Sequence, residues 1–208
     1  STNITYELGA KTDWLDRRMT VNAALFYIKY KDLQITAAPP PPLVTALTTN
    51  AAGATSYART SDQASLAQGR SELVDRIYQR ASRLTDWPCE DIEAMQLVRY
   101  RPGAEFSPHY DYFHPNTESG ALEIARHGQR VATLILYLMT PQRGGATLFL
   151  DADLEILPVQ GNALLFAYGN AHDDSQTLHA GVPVSEGEKW IATLFFRRRP
   201  VRLPEGQA

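Results

Sequence analysis

The pattern of apolar and polar positions divides the chain into three segments with different predicted structures. In residues 1–36, two runs from Asn3 to Trp14 and from Met19 to Lys29 alternate loosely and contain many β-forming and aromatic residues. The polar residues 15–18 between them are typical of a turn, so this segment is predicted to form a β-hairpin. Two strands alone are marginally stable in water, and the hairpin therefore needs a partner sheet.

The second segment, residues 37–58, has the composition of a linker. Four consecutive prolines at positions 39–42 are followed by a stretch of small residues. Proline fixes φ and donates no backbone hydrogen bond, so such a run favours polyproline II or coil. We predict that this linker separates the hairpin from a domain at residues 59–208.

The third segment begins with a helical pattern and continues with short strands. Apolar positions from Leu66 to Leu84 recur at helical spacing, and Ser61 with Asp62 can cap the first turn, which predicts a helix over about residues 62–85. Short β-rich runs separated by turn signals follow. They lie at residues 95–100, 131–139, 146–150, 154–158, 163–168, 179–184 and 190–197.

Many short strands with turns between them indicate a sandwich or barrel rather than a parallel α/β sheet. The predicted fold class is therefore mainly β with a flanking helix. A double-stranded β-helix, the jelly roll of cupin-like proteins, fits best, preceded by the hairpin-like segment and the linker.

Length, charge and cysteine content exclude several classes of partner and site. A chain of 208 residues suits one domain, or one domain with an appendage. The net charge of −3 gives no basic face for a nucleic acid. Because Cys89 is the single cysteine, no disulfide can form within the chain. The first residues do not resemble a signal peptide, and no apolar run approaches the roughly 18 residues of a membrane helix. We therefore expect a cytoplasmic protein with no membrane partner, and leave its oligomeric state open.

Candidate metal ligands stand in the sequence Ser107 to Asp111. His109 and Asp111 are two residues apart, and on an extended strand such side chains point to the same face. A His-x-Asp pair alone is equally compatible with a surface hydrogen bond. His179, at the start of a later predicted strand, is the best candidate for a third ligand. Two histidines and one carboxylate with open coordination positions form the facial triad of non-haem Fe(II) oxygenases.

Lys189 adds a second candidate binding group. It stands ten residues after His179 and directly before the apolar run Trp190 to Phe196. A solitary lysine at such a position is usually solvated. A lysine that reaches into a barrel instead needs an anion to offset its burial, and the distal carboxylate of 2-oxoglutarate would serve.

Four stretches of this segment, in order and spacing, resemble the catalytic domain of prolyl 4-hydroxylases and their bacterial relatives. They are residues 96–103 with 106–113, residues 128–138 with 144–147, residues 161–166 with an Asp-Asp-Ser segment and 178–181, and residues 187–193. The resemblance covers residues from about 59 to 200.

The resemblance implies a role for each of six residues. The iron ligands would be His109, Asp111 and His179. Lys189 would bind the C5 carboxylate of 2-oxoglutarate, and Tyr100 and Thr133 would line the same pocket and hydrogen-bond this co-substrate. We interpret Tyr112 and Phe113 as packing aromatics rather than as the substrate mouth. The remaining histidines match no ligand position and are interpreted as loop residues: His114, His127 and His172.

The function implied by the resemblance is that of an Fe(II)- and 2-oxoglutarate-dependent dioxygenase. Such an enzyme uses dioxygen to hydroxylate a C–H bond, most typically of a peptidyl proline, while 2-oxoglutarate is decarboxylated to succinate and carbon dioxide. Ascorbate is a further candidate cofactor. The expected partner is a proline-containing peptide or protein. Two alternatives stay open: a hydroxylase of a free amino acid or other small molecule, and a truncated, inactive domain.

The first segment resembles a different family. Residues 6–16 and 25–34 look like two adjacent barrel strands of TonB-dependent outer-membrane receptors. Two strands cannot close a barrel, so we interpret this piece as a fusion remnant or a mispredicted gene start. It stands where prolyl 4-hydroxylases have supporting helices and strands, which bears on stability and substrate binding. The short loop between Leu150 and Pro158 also predicts an open site.

Overall fold

A computed structural model describes residues 60–168 and 171–198, and before residue 60 it describes only the backbone of five strands. The helices are α1 (Glu72–Thr85) and α2 (Glu118–His127), with short 3-10 turns at Cys89–Asp91 and Asp173–Ser175. The strands in chain order are β1 (Ile4–Trp14), β2 (Met19–Lys29), β3 (Val44–Thr45), β4 (Thr48–Thr49), β5 (Thr55–Ser56), β6 (Asp62–Leu66), β7 (Met95–Tyr100), β8 (Phe106–His109), β9 (Arg130–Met139), β10 (Arg143–Gly144), β11 (Thr147–Phe149), β12 (Leu154–Ile156), β13 (Asn162–Ala167), β14 (His179–Gly181), β15 (Val184–Glu186) and β16 (Lys189–Arg197).

Two antiparallel sheets build the domain. The larger sheet has the order β1-β2-β13-β9-β16-β7-β6-β3, and the smaller one has the order β12-β11-β14-β8. Neighbours in both sheets are mostly far apart in sequence, as in a jelly roll. The predicted fold class, a mainly β double-stranded β-helix with a flanking helix, is confirmed.

Strand β16, near the centre of the larger sheet, is buried on both faces. Along β16, every residue except Trp190 is buried. One set of its side chains faces the smaller sheet, and the other set packs under α1 together with Val74 and Tyr78. The Tyr78 hydroxyl accepts a hydrogen bond from the Met95 amide at 2.6 Å and lies 3.0 Å from the carbonyl oxygen of Leu66. This helix therefore closes the outer face of the sheet and holds the ends of β6 and β7.

The helix predicted over about residues 62–85 begins ten residues later than expected. Residues 62–66 instead form β6, which pairs with β7. Gly69, with a φ of +81°, turns the chain, and the Ser71 hydroxyl then caps α1 by accepting a hydrogen bond from the Val74 amide at 3.3 Å. The error arose because the β6 residues continue the apolar spacing of the true helix.

Three further elements differ from the prediction. Helix α2, whose N-terminus is capped by the Thr117 hydroxyl, was not predicted, and His127 is its last residue rather than part of a loop. The short strand β8 was not among the predicted runs. The run predicted at 179–184 is divided into β14 and β15, because Pro183 between them cannot donate to a strand ladder.

The hairpin segment is described by its backbone. Strands β1 and β2 pair antiparallel from Ile4↔Lys29 to Trp14↔Met19, and β2 also pairs with β13. The proline run at 39–42 lies outside the described residues, so the division of the chain at residues 36 and 58 stays a prediction. Among the residues that the structure describes, no helix has the length and apolar character to span a membrane.

Candidate active site

The smaller sheet brings two histidines directly opposite each other. In the pairing of β8 with β14, His109 is the partner of His179, and their ring centroids are 4.3 Å apart. Asp111 follows just after the end of β8. Its carboxylate oxygens lie 3.5 Å from Nε2 of His109 and 3.6 Å from Nε2 of His179. One ligand atom from each of these three residues therefore lies within 4.8 Å of the other two.

Backbone carbonyls orient both imidazole rings. Nδ1 of His109 lies 2.8 Å from the carbonyl oxygen of Ser107, and Nδ1 of His179 lies 2.9 Å from that of Thr177. A carbonyl can only accept, so each Nδ1 carries a proton and donates it. The Nε2 atoms of both rings then face the space beside the Asp111 carboxylate. Such hydrogen bonds to the other ring nitrogen are how metal-binding histidines are held in the right tautomer.

Asp111 is buried and stays ionised. Burial alone would favour its neutral form, but the two imidazoles offset this, led by His179, and hold the pKa of Asp111 well below its usual range. The Thr133 hydroxyl donates to Oδ2 of this carboxylate at 2.7 Å and also lies 3.1 Å from the Tyr168 hydroxyl. Burial is the main cause that lowers the pKa of His179, and the nearby Asp111 carboxylate opposes this effect.

A buried ion network supports the same segment from behind. Arg130 donates to the backbone carbonyl of Asp111 at 3.1 Å and forms a bidentate pair with Glu93 at 2.6 and 2.8 Å. Arg197 also donates to Glu93, and its second nitrogen donates to the carbonyl of Gly128 at 2.7 Å. Although burial raises the pKa of Glu93, the two arginines more than compensate and lower it. This network fixes the backbone from which Asp111 projects.

Lys189 lies at the other end of the cavity. It is 2 % exposed, its ammonium donates to the carbonyl of Gly145 at 2.7 Å, and it lies 4.3 Å from the centre of the Tyr100 ring. Burial lowers the pKa of Lys189 to about 8. Within residues 60–168 and 171–198, no carboxylate forms an ion pair with it. A buried ammonium without a protein counterion is suited to bind an anionic ligand.

One cavity connects the two groups. It is lined by the three candidate metal ligands and by Lys189 and Tyr100, as predicted from the sequence. It is also lined by residues that the sequence analysis did not identify: Gln96, Phe106, Thr147, Gly181 and Thr193. Several of these share a strand face with a predicted site residue, such as Gly181 with His179 and Thr193 with Lys189, so period-two alternation could have found them.

Thr133 differs from its predicted role. It was expected to line the pocket and hydrogen-bond the co-substrate, but its side chain is fully buried and its hydroxyl donates to Asp111. It is not among the residues that line the cavity. The reason is geometric, because Thr133 on β9 lies behind the carboxylate of Asp111. Thr133 therefore orients a candidate metal ligand instead.

The remaining aromatic and histidine residues lie near the site without entering the ligand set. Tyr112 is buried, packs near Tyr168 with ring centroids 5.9 Å apart, and donates to Asp173 at 3.2 Å. His114 packs edge-on against Tyr112. His172 caps the 3-10 turn Asp173–Ser175, since its ring nitrogen accepts from the Asp174 amide.

Known proteins resemble the chain in two separate regions. The family model of the 2OG-Fe(II) oxygenase superfamily matches residues 95–197. A model described as TonB dependent receptor-like, beta-barrel, matches residues 1–64, nearly all of which precede the fully described part of the structure. Both resemblances inferred from the sequence therefore have independent support.

Prolyl 4-hydroxylases are among the similar curated proteins. Prolyl 4-hydroxylase 2 of Arabidopsis thaliana is 36% identical over 158 residues, which cover 65% of this chain and 51% of the relative. A putative prolyl 4-hydroxylase of Acanthamoeba polyphaga mimivirus is 35% identical over 131 residues, which cover 61% and 54%. The chain thus spans about half the length of the curated relatives it matches.

Solved structures of prolyl hydroxylases also align with this chain. The viral collagen prolyl hydroxylase of Paramecium Bursaria Chlorella virus-1, solved as a 2OG complex, aligns with a TM-score of 0.54 and 29% identity over 67% of this chain and 79% of the other. A Pseudomonas putida prolyl-4-hydroxylase aligns with a TM-score of 0.50 over 68% and 73%, and at 22% identity it supports the fold alone. Residues 95–197 therefore match the 2OG-Fe(II) oxygenase superfamily in sequence, and the fold resembles that of the aligned prolyl hydroxylases.

Proposed function

We propose that this protein is an Fe(II)- and 2-oxoglutarate-dependent dioxygenase that hydroxylates a C–H bond of a peptidyl proline. The observation that carries the proposal is the cavity that joins a two-histidine, one-carboxylate cluster to the buried Lys189 ammonium. This donor set fits Fe(II) with open coordination positions. His109, Asp111 and His179 would hold the ion. Bound Fe(II) would supply the oxidative chemistry in which 2-oxoglutarate and dioxygen give succinate and carbon dioxide, with one oxygen atom entering succinate and the other the hydroxylated product.

The protein's own residues would orient the reactants and exclude water. His109 and His179 present Nε2 because their Nδ1 protons are donated to backbone carbonyls. Lys189 would bind the distal carboxylate of 2-oxoglutarate through a charge-assisted hydrogen bond, with the Tyr100 ring against its ammonium. Apolar walls, among them Ile135 and Ile191, would shield the reacting centre.

The relatives support a prolyl substrate in a peptide or protein. The similar curated proteins carry the name prolyl 4-hydroxylase, and the aligned viral structure is called a collagen prolyl hydroxylase. The ligand cluster and Lys189 disfavour the alternative of an inactive, truncated domain, since both ends of the cavity are intact.

The first test is anaerobic binding of Fe(II) and 2-oxoglutarate, read from the weak visible charge-transfer band of the ternary complex. We expect the band in the wild-type chain, its loss in His179→Ala, and a much higher 2-oxoglutarate requirement in Lys189→Ala. The absence of a band in folded wild-type protein would contradict the proposal.

The substrate class is tested separately. Succinate formation in air is compared with proline-rich peptides, with free proline and without an added substrate. Stimulation by the peptides alone supports a peptidyl substrate. Stimulation by free proline, or none by either, contradicts that part of the proposal.

A further inference from the structure

Gly181 occupies the space between the candidate metal ligands and Lys189. It stands two residues after His179 on β14, so both positions face the cavity, about 7 Å apart along the strand. Lys189 approaches Gly181 from β16. A ligand that spans the metal ligands and the ammonium therefore passes over residue 181.

A side chain at position 181 would contact both Phe106 and Lys189. A Cβ atom at position 181 would lie 3.8 Å from Nζ of Lys189, and 3.5 Å from Cβ of Phe106. These are ordinary van der Waals distances, and the backbone of Gly181 is not in the left-handed region. Alanine is therefore sterically compatible with the fold. Its methyl group would nevertheless be in van der Waals contact with the ammonium, at a position that lines the cavity.

An anion in the cavity has to contact the same ammonium. A carboxylate oxygen must approach an ammonium to about 2.7–2.9 Å to form a charge-assisted hydrogen bond. One donor of Lys189 is already used by the carbonyl of Gly145. The methyl group of an alanine would compete with the carboxylate for the space beside the remaining donors.

We propose that Gly181 determines co-substrate specificity: its missing side chain leaves room for the distal carboxylate of a five-carbon 2-oxo diacid at Lys189. The inference rests on the proposed function, because it assumes that 2-oxoglutarate spans the cavity. It assigns Gly181 a role that is separate from metal binding.

The test compares two ligands of different length in Gly181→Ala. Oxalate binds at the metal and is too short to reach Lys189, whereas 2-oxoglutarate has to pass residue 181. In the full chain loaded with Fe(II) under anaerobic conditions, we expect the dissociation constant for 2-oxoglutarate to rise by roughly tenfold or more, as for the loss of a hydrogen bond to a charged group. The constants for Fe(II) and for oxalate should stay within about twofold.

A matched control is Ala180→Ser, which adds one atom at the neighbouring position on the other face of the strand. It should leave all three dissociation constants unchanged. Wild-type binding of 2-oxoglutarate with equally tight binding in Gly181→Ala would overturn this inference and leave the proposed function intact. Weaker binding of oxalate and Fe(II) in Gly181→Ala would also overturn it, because the effect would then lie at the metal. Wild-type protein that binds no 2-oxoglutarate would contradict the proposed function itself.

Discussion

Replacement of Thr133 by valine isolates the hydrogen bond that orients Asp111. Valine keeps the shape of the side chain but removes the hydroxyl that lies 2.7 Å from the carboxylate and 3.1 Å from Tyr168. The buried carboxylate then loses a charge-assisted hydrogen bond, a loss of about 1.5–3 kcal/mol. Partners of metal ligands typically contribute 10- to 100-fold to metal affinity, so we expect Fe(II) affinity to fall by roughly that factor.

The assay is an anaerobic Fe(II) titration in competition with a chromophoric chelator. The matched control is Thr147→Val, since Thr147 forms a similar buried pair with Tyr137 at 2.9 Å but does not contact Asp111. Both variants should lose about 1–3 kcal/mol in free energy of unfolding, measured by denaturant titration. Only Thr133→Val should bind Fe(II) more weakly. Equal Fe(II) affinity in the two variants would refute the assignment of Thr133 as the residue that orients Asp111.

The further predictions concern the buried charges of Lys189 and Glu93 and the buried hydroxyl of Tyr78. Because burial lowers the pKa of Lys189 to about 8, 2-oxoglutarate affinity should decline as the pH rises above that value, and Lys189→Met should show weak binding with little of this pH dependence. Between about pH 8 and the ordinary lysine pKa, Lys189 is protonated in the unfolded chain but not in the folded one. The ligand-free protein should therefore become more stable as the pH rises through this window. Denaturant titrations of wild type and Lys189→Met at several pH values check this difference. Glu93→Gln leaves Arg130 and Arg197 without their counterion and should lower the free energy of unfolding by about 3–5 kcal/mol. Because the pKa of Glu93 is lowered in the folded protein, its contribution to wild-type stability should be present above its unfolded pKa. That contribution should be lost as the pH falls through its folded pKa. Tyr78→Phe removes the acceptor of the Met95 amide and should cost about 1–3 kcal/mol, whereas Tyr110→Phe, whose bond is 3.4 Å long and exposed, should change stability little; equal losses in the two variants would contradict the importance of the buried bond.

The candidate ligands could be predicted because a local pattern and a family resemblance agree. His109 and Asp111 stand two residues apart, and Lys189 precedes an apolar strand, but the resemblance to prolyl 4-hydroxylases was needed to give these residues their roles. The start of α1 could not be placed from spacing alone. The residues of β6 continue an apolar pattern that a helix and a half-buried strand share over so short a run.

Contacts between residues far apart in the chain could not be predicted from the sequence pattern. Nothing in the local pattern pairs Glu93 with Arg197, whose bond spans 104 residues. Thr133 was correctly placed on a strand, but its direction toward Asp111 depends on how β9 lies behind β8. Alternation from His179 could have placed Gly181 on the cavity face, but its closeness to Lys189 depends on how the two sheets pack.

The pairing of His109 with His179 across β8 and β14 has a consequence for folding. The two residues are 179 − 109 = 70 positions apart in the sequence, and they meet only after the smaller sheet has assembled. A metal ion held by both would act as a cross-link that closes a long loop, and the unfolded chain offers no comparable site. Metal binding would thus be coupled to the folded state by mass action. The ion would stabilise the pairing of β8 with β14, two short strands whose hydrogen-bonded register is irregular between His179 and Gly181.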